Sequence, residues 1–336
     1  MILVTGGLGY IGSHTCIALQ RAGHKLAIVD NLANSKLAVL ELIRDLGGGD
    51  IEFHRADIRD AAALAAIFAR GPVEAVIHFA GHKAVGESIS MPLEYYGNNI
   101  GGTFVLLKAM EKFAVRRMVF SSSATVYGDP QRLPLTEDHP LGAVNPYGRT
   151  KQFIEAILQD VAVGSPSFRH ATLRYFNPIG AHPSGRIGED PRGIPNNLFP
   201  YVTQVAIKRL DKLRIFGNDY DTVDGSGVRD YIHVMDLAEG HVAALRYLLD
   251  KDRSILVNLG TGQGNSVLEV VRAFERVTGI PIPREFSLRR SGDVASCFAD
   301  VSLAASELGW RTRLGIEDMC RDAWAWQSAN PKGYPD

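Results

Sequence analysis

A glycine-rich segment between two strand-like runs constrains the fold of this chain more than any other feature. The apolar run Ile2–Val4 leads into Thr5-Gly-Gly-Leu-Gly-Tyr-Ile-Gly12, which opens a helix reaching Gly23, and a second strand-like run follows at 26–30. Such glycines let a pyrophosphate approach the backbone at a helix N-terminus, and an acid about 20 residues later binds a ribose 2′-hydroxyl. Asp30 is that acid, and it would repel a 2′-phosphate. The segment therefore predicts a site for NAD rather than NADP, although a purely structural turn is the alternative.

Strand-like and helical segments alternate through the first half of the chain. Apolar runs at 51–57, 75–81, 117–123 and 171–177 are separated by helical patterns at 61–70, 92–113 and 147–160. This order predicts an α/β fold with a doubly wound parallel (Rossmann) sheet. Ligands of such sheets bind at the carboxyl ends of the strands. The residues predicted at those ends are Asp30, Asp57, Gly81, Ser123 and Asn177.

The sequence changes character after Asn177. Segment 178–198 holds four prolines and four glycines, and an irregular stretch of this length is usually functional. Helical patterns follow at 199–210, 234–249, 266–279 and twice after 301, with strand-like runs at 213–216 and 255–260 and an irregular segment at 217–229. We expect an NAD-binding domain at 1–177 and a smaller, mixed substrate-binding region at 178–336. The boundary is soft, because 234–262 is able to pack back onto the first domain.

Composition excludes several classes of protein. The 336 residues carry a net charge of −1, so there is no basic surface for nucleic acid, and no apolar run is long enough to span a membrane. Cys16, Cys297 and Cys320 are odd in number and far apart, and the ten histidines lack metal-ligand spacing, so we expect neither disulfides nor a metal. The strand-like run at Ile2 leaves no room for a signal peptide. These features predict a cytoplasmic protein.

Tyr147 and Lys151 lie four residues apart at the start of a helical pattern. Residues i and i+4 share one helix face, so the phenol and the ammonium point into the same space. A tyrosine with a pKa near ~10 is a poor base at neutral pH, but a neighbouring cation favours the phenolate. The pair is therefore a candidate catalytic base with its activator. On spacing alone, an ordinary surface pair is the more frequent explanation.

Several motifs together resemble one family. Thr5–Gly12, Asp30–Leu32 with Asn34 and Ser35, His78–Gly81, Ser121–Gly128 and Tyr147-x-x-x-Lys151 resemble the extended short-chain dehydrogenase/reductases. Longer motifs are similar to those of the UDP-galactose (UDP-glucose) 4-epimerases within that family. These motifs are His82–Ser88, Pro92–Tyr96, Arg174–Asn177, Gly193–Asn197, Ile215–Tyr220 and Gly227–Leu237. The resemblance runs from Met1 to the terminal Gly-Tyr-Pro-Asp.

The resemblance implies an isomerase. It implies NAD-dependent interconversion of UDP-glucose and UDP-galactose through a transient 4-keto sugar, with the cofactor retained throughout. Tyr147 would be the base, Lys151 would stabilise its phenolate, and Ser123 would hydrogen-bond the reacting oxygen or relay its proton. The resemblance also implies a homodimer that associates through the helices near 92–113 and 147–160.

The resemblance also implies the ligand contacts, residue by residue. The NAD contacts are Gly6, Gly9, Tyr10, Ile11, Gly12, Asp30, Asn31, Asn34, Ser35, Asp57, Ile58, Phe79, Ala80, Gly81, Lys83, Asn98, Ser123, Tyr147, Lys151 and Phe176. The UDP-sugar contacts are Lys83, Ser123, Tyr147, Asn177, Asn197, Leu198, Phe216, Arg229, Arg290, Asp293 and Cys297. Guanidinium groups suit a diphosphate, although either arginine alone would be read as a surface charge.

Two rival functions are available to a chain of this fold. A sugar-nucleotide 4,6-dehydratase on the same fold would carry an Asp-Glu pair after the strand-end serine, whereas Ala124 and Thr125 follow Ser123 here. A non-catalytic NAD-binding protein would typically lack the Tyr147–Lys151 pair, which is intact. Both features favour the epimerase.

Cys297 departs from a familiar pattern. In bacterial epimerases restricted to glucose and galactose, a tyrosine commonly stands at this position and walls the sugar pocket. A thiol is smaller, so we expect UDP-GlcNAc and UDP-GalNAc to be substrates as well. An inert buried thiol is the common role of a free cysteine, and it is compatible with this expectation.

Overall fold

The computed structural model describes residues 1–193, 195, 197–290 and 292–335. Ile194, Asn196, Ser291 and Asp336 lie outside the described residues, and all but Ser291 belong to the motifs named above. The strands are β1 Ile2–Thr5, β2 Leu26–Asp30, β3 Ile51–Arg55, β4 Ala75–His78, β5 Arg117–Ser123, β6 Arg169–Tyr175, β7 Asn177–Ile179, β8 Leu213–Phe216, β9 Val228–His233, β10 Ile255–Leu259, β11 Gly264–Ser266, β12 Arg284–Ser287 and β13 Ser296–Cys297.

Helices connect most of these strands. They are α1 Tyr10–Arg21, α2 Ala38–Gly47, α3 Ala61–Phe68, α4 Val85–Ser90, α5 Pro92–Tyr95, α6 Gly102–Lys112, α7 Pro146–Gly164, α8 Leu198–Ala206, α9 Val234–Lys251, α10 Val267–Thr278, α11 Ser302–Glu307 and α12 Ile316–Ala329. In the described part of the chain, no helix combines the length and apolarity needed to cross a membrane.

The central sheet has seven parallel strands in the order β10-β6-β5-β4-β1-β2-β3. Helices α1, α2 and α9 contribute to the apolar cluster on one face, and α3, α6 and α7 contribute to the cluster on the other. Two covered faces explain why β1, β2 and β4 are buried along their whole length. The predicted doubly wound α/β fold is confirmed.

The second half of the chain contributes to two regions. Strand β10 joins the edge of the central sheet beside β6, and α9 packs its buried residues into the same cluster as α1. A separate mixed sheet is built around β9, which pairs in parallel with β7 and β13 and antiparallel with β11. The prediction of an irregular segment through residue 229 is wrong at its end, because β9 already begins at Val228.

The predicted single helix at 92–113 is interrupted. A π-helical segment, Tyr96–Gly101, separates α5 from α6. The buried Asn99 lies in this segment. Its side chain accepts from the amide of His82, donates to the carbonyl of His82 and donates to Thr150 Oγ1 at 3.0 Å, which ties the segment to the loop after β4 and to α7. Asn98, one of the predicted NAD contacts, also lies within this segment.

Candidate active site

The glycine turn after β1 forms a close-packed cradle. Gly6 has a φ of +69°, and a Cβ added there would lie 2.8 Å from the backbone nitrogen of Ala80. A Cβ added at Gly12 would lie 2.3 Å from the carbonyl oxygen of Gly6. Gly9 precedes α1 and has no side chain to cap the N-terminal amides of that helix. The turn therefore fits a pyrophosphate, which needs these amides and this close backbone approach.

Asp30 joins the glycine turn to the loop that follows β2. Its Oδ2 accepts a hydrogen bond from the amide of Leu8 at 3.1 Å, and its Oδ1 accepts from the hydroxyl of Ser35 at 2.8 Å and the amide of Leu32 at 2.9 Å. The carboxylate is buried at the end of β2. This is the position predicted for the acid that binds a ribose hydroxyl. The residues of the cradle therefore fit the dinucleotide that the sequence predicts.

Asp57 follows β3 on the adjacent side of the cradle. Its carboxylate accepts hydrogen bonds from Arg59 at 2.9 Å and from the side-chain amide of Asn31 at 3.2 Å. The Arg59 guanidinium lowers the pKa of Asp57 to about 2, so this group is an acceptor at neutral pH. The neighbouring Ile58 is buried and would meet any Cβ added at Gly102. Asn34 is exposed in the same β2–α2 loop as Ser35.

The segment after β4 closes the other side of the cradle. The amides of Phe79 and Ala80 donate to the carbonyl of Thr5 at 3.0 and 3.2 Å. Gly81 follows, and a Cβ there would lie 3.1 Å from Asn99 Oδ1, the atom to which the buried Asn98 donates its side-chain amide. The predicted contacts from β4 and from the π-helical segment thus lie together.

Ser123 and Tyr147 come from different elements that meet beyond the end of β5. Ser123 is the last residue of that strand, and Tyr147 lies in the first turn of α7, which Asn145 caps by accepting from the amide of Gly148 at 2.8 Å. Tyr147 is buried, and this burial raises its pKa to about 12 while a hydrogen bond with Ser123 lowers it. A pKa in this range keeps the phenol protonated at neutral pH.

Lys151 lies beside Tyr147 but is bonded elsewhere. Its Nζ is 5.9 Å from the centre of the Tyr147 ring and donates to the carbonyl oxygen of Ser121 at 2.8 Å. Burial lowers the pKa of Lys151 to about 8, against an opposing effect of Glu155. Desolvation therefore opposes ionisation of the Tyr147 phenol, whereas a positive charge on the neighbouring Lys151 favours the phenolate.

A carboxylate that sequence reasoning missed joins two predicted contacts. Glu189 Oε1 accepts from Lys83 Nζ at 3.1 Å and from the side-chain amide of Asn197 at 3.2 Å. Glu189 belongs to segment 178–198. The length of this irregular segment was the only sequence feature that indicated a function for it. Glu189 therefore bridges Lys83, which follows β4, and Asn197, which precedes α8. Leu198, the first residue of α8, packs against the apolar cluster of the second half.

The two arginines predicted to bind the sugar nucleotide are held by different contacts. Arg229, in β9, donates to Asp293 Oδ1 at 2.6 Å. The guanidinium carbon of Arg290 lies 3.9 Å from the centre of the Phe216 ring, in cation–π contact. Four predicted substrate contacts thus form two pairs, Arg229 with Asp293 and Arg290 with Phe216. A guanidinium engaged by a single carboxylate keeps further N–H groups for an anion.

Cys297 lies in β13, directly opposite Arg229 of β9. It packs against an apolar cluster that contains the predicted NAD contact Phe176. Burial raises the pKa of the Cys297 thiol to about 11, so the sulfur is protonated and unreactive at neutral pH. Asn177, next to Phe176, is exposed at the start of β7.

Tyr10 and Ile11, the remaining predicted contacts, open helix α1. Tyr10 donates its hydroxyl to the carbonyl of Gly180 at 2.7 Å, and Ile11 packs against the core. Tyr10 therefore links the cradle to the segment that carries Glu189. Within the described ranges, no cluster of three His, Cys, Asp or Glu residues is arranged to hold a metal ion.

Comparison with known proteins agrees with this geometry. The family described as GDP-mannose 4,6 dehydratase matches residues 3–323. The UDP-glucose 4-epimerase of Bacillus subtilis is 58% identical over 333 residues, covering 99% of this chain and 98% of the relative.

Two solved structures are similar along almost their whole length. A UDP-glucose 4-epimerase from Stenotrophomonas maltophila with bound NAD and formylated UDP-arabinopyranose has a TM-score of 0.97 and 52% identity, covering 98% of each chain. The enzyme from Bifidobacterium longum in complex with NAD+ and UDP has a TM-score of 0.96 and 51% identity, covering 99% of each chain. The chain belongs to this family, the extended short-chain dehydrogenases/reductases, and within it to the UDP-glucose 4-epimerases.

Proposed function

We propose that this chain interconverts UDP-glucose and UDP-galactose at C4, with NAD as a retained cofactor. The observation that carries the proposal is the meeting of Ser123, at the end of β5, with the buried Tyr147 and Lys151 of α7. Ser123 ends a strand of the sheet whose first strand leads into the glycine cradle, and ligands of such sheets bind at the carboxyl ends of the strands.

The chain's own residues move and hold the proton of the sugar hydroxyl. NAD, when bound, accepts a hydride from C4 and returns it. Tyr147 accepts the proton of the 4-hydroxyl, and Ser123 donates a hydrogen bond to the oxygen that becomes negative. Lys151 adds a positive charge within 5.9 Å of the Tyr147 ring. Because burial raises the pKa of Tyr147, its phenolate needs further positive charge, which the bound ligands would bring.

Inversion at C4 requires that the keto sugar presents its other face to the same hydride. We propose that Arg229 and Arg290 hold the diphosphate while the sugar turns, because both belong to the smaller region and lie away from the β5–α7 junction in sequence. Lys83 and Asn197, joined by Glu189, are further contacts of the nucleotide sugar. Residues 1–177 would bind NAD and 178–336 the UDP-sugar, with 234–262 returning to the first domain.

The dehydratase alternative is less well supported by the residues present. Elimination of water requires an acid and a base beside the strand-end hydroxyl, and positions 124 and 125 hold alanine and threonine. We therefore propose epimerisation without loss of water. A product of UDP-glucose lighter by one water, detected by mass spectrometry, would contradict this.

Cys297 supports a broader substrate range. The thiol is half-buried in β13 beside Arg229 and against the Phe176 cluster, where a tyrosine ring would occupy more space. We propose that the pocket accepts the 2-acetamido group of UDP-GlcNAc and UDP-GalNAc.

Exposed apolar side chains favour a homodimer. Leu93, Phe104 and Phe153 lie on α5, α6 and α7 and are 84%, 48% and 48% exposed. An apolar surface of this kind is typical of an interface between copies. Sedimentation at micromolar concentration tests the proposal, and a monomer would contradict it. We also propose a cytoplasmic location, since the three cysteines are unpaired.

The direct test uses purified protein with UDP-galactose and no added nucleotide, followed by NMR. The proposal predicts an equilibrium mixture of UDP-galactose and UDP-glucose, and heat-released supernatant that contains NAD. Unchanged UDP-galactose in the presence of retained NAD would contradict the proposed reaction. Protein that carries no NAD and becomes active only on its addition would contradict retention of the cofactor alone.

A further inference from the structure

Thr125 makes two contacts with one catalytic oxygen. It lies in the 3-10 turn Ala124–Val126 that follows β5. Its backbone amide donates to Ser123 Oγ at 3.2 Å, and its hydroxyl lies 3.0 Å from the same oxygen, placed to donate as well. Neither the sequence motifs nor the ligand contacts implied by the family assign a role to Thr125.

These contacts determine what Ser123 is able to do. A serine hydroxyl has one proton and two acceptor lone pairs. With the amide and the hydroxyl of Thr125 both donating, the lone pairs of Ser123 are filled, and its remaining capacity is the donation of its own proton. Such a donor is strongest toward an oxygen that carries negative charge, which in this site is a phenolate or an alkoxide.

The turn that carries Thr125 also packs against the helix that carries Tyr147. A Cβ added at Gly148 would lie 2.9 Å from the carbonyl oxygen of Thr125. Gly148 is the residue after Tyr147, and its amide is bonded to the N-cap residue Asn145. Thr125 therefore contacts Ser123 directly and packs against the first turn of α7, which carries Tyr147.

We propose that Thr125 is a positioning residue that commits Ser123 to donating its proton toward the oxygen on which negative charge develops. The proposal rests on the proposed epimerase function and makes it more specific. Ser123 has two conceivable roles, which are to hydrogen-bond the reacting oxygen or to relay its proton. The proposal assigns it hydrogen bonding. The proton of the sugar 4-hydroxyl then passes directly to the Tyr147 oxygen, while Ser123 keeps its own proton throughout.

The test is a double-mutant cycle between Thr125→Val and Ser123→Ala. Valine keeps the shape of threonine and removes the hydroxyl. Loss of one hydrogen bond to a neutral group predicts a fall in kcat of about 3- to 10-fold with KM for UDP-galactose changed less than about twofold. In the Ser123→Ala background, Thr125→Val should have no further effect, because the oxygen it orients is gone.

Thr125→Ser keeps the hydroxyl and removes the methyl group, so it distinguishes their contributions to the rate. It should recover most of the rate lost in Thr125→Val. If both variants lose the same rate, the methyl group fills space and the proposal is overturned. The proposal also fails if Thr125→Val has the native kcat, or if its effect persists in full without Ser123. If Thr125→Val does not fold, Thr125→Ala takes its place in the same cycle.

Native protein in the same assay distinguishes this proposal from the one on which it rests. Native protein that retains NAD and leaves UDP-galactose unchanged would contradict the epimerase function. Native protein that is active, with Thr125 and Ser123 acting independently, would overturn the positioning role alone.

Discussion

The Nζ of Lys151 lies 5.9 Å from the centre of the Tyr147 ring, yet its hydrogen bond goes to the carbonyl of Ser121. The ammonium is therefore held next to the phenol without being bonded to it. Burial raises the pKa of Tyr147 to about 12 and lowers that of Lys151 to about 8. Burial thus opposes the phenolate of Tyr147, and we expect the positive nicotinamide of bound NAD to add to the stabilisation that Lys151 gives it.

Tyr147→Phe removes the ionisable oxygen and keeps the ring. We expect folded protein that retains NAD and a fall in kcat of at least ~10²-fold, the usual scale for the loss of a general base. Initial rates of UDP-galactose conversion measure this. Tyr201→Phe in α8 is the matched control, because Tyr201 packs in the apolar cluster of the second half and should keep the native rate. A Tyr147→Phe variant within tenfold of native would refute the assignment of the base.

Lys151 gives the stability of the protein a pH dependence above neutrality. Its pKa is about 8 in the folded protein and near ~10.4 in an unfolded chain. Between these values the unfolded chain holds the proton and the folded protein does not, so this residue makes the free energy of unfolding rise with pH. Between pH 7.5 and 9.5 the native protein should gain about 2 kcal/mol relative to Lys151→Met.

Urea denaturation of both proteins across this pH range measures the difference. Lys151→Met lacks the titrating group, so its free energy of unfolding should show only the pH dependence that all other groups share. Parallel curves for the two proteins would mean that Lys151 has the same pKa folded and unfolded.

Gly12→Ala should weaken the binding of NAD. The added Cβ would lie 2.3 Å from the carbonyl oxygen of Gly6, and a backbone atom cannot rotate away as a side chain can. The turn must open, which disrupts the cradle for the pyrophosphate. The amount of NAD released by heat per mole of protein should fall well below that of native protein. Gly71→Ala is the control, since a Cβ there meets nothing within 4 Å; equal NAD content in all three proteins would show that the cradle tolerates a side chain.

Elements that are stabilised by local contacts were predictable from the sequence. The glycine turn between β1 and α1 and the i, i+4 pair of Tyr147 and Lys151 were predictable, because short-range geometry fixes both. Strand β9 was not predicted, because its partners β7, β11 and β13 are distant in sequence. It also contains the buried Asp230, whose carboxylate is satisfied by the amides of Thr261, Gly262 and Ala299.

Glu189 was missed for a related reason. A single acid in a segment rich in glycine and proline gives no periodic signal, and its contacts with Lys83 and Asn197 depend on how distant segments fold together. The pKa of Tyr147 could not be predicted either, because it depends on burial by several elements rather than on the neighbour four residues away.

Cys297→Tyr should separate the two pairs of substrates. The added ring would fill space against the Phe176 cluster, and overfilling a packed site costs about 1–3 kcal/mol, or roughly 5- to 150-fold in rate. We expect the variant to lose the interconversion of UDP-GlcNAc and UDP-GalNAc and largely to keep that of UDP-glucose and UDP-galactose. Cys297→Ser, which is matched in size to the native residue, should keep both.

Rates of all three proteins on both substrate pairs decide the role of Cys297. If native protein leaves UDP-GlcNAc unchanged, the thiol does not open the pocket to an acetamido group. If Cys297→Tyr keeps the native ratio of the two activities, the size of the pocket is determined by other residues.

The most direct test of the whole account follows deuterium at C4 of UDP-galactose. If the hydride is passed to retained NAD and returned within the same site, UDP-glucose formed in ordinary water keeps the label at C4. NMR and mass spectrometry of the product measure its deuterium content. The account predicts near-complete retention in native protein and no turnover above background in Tyr147→Phe. Epimerised product that has exchanged its C4 deuterium for solvent hydrogen would contradict hydride transfer within the site.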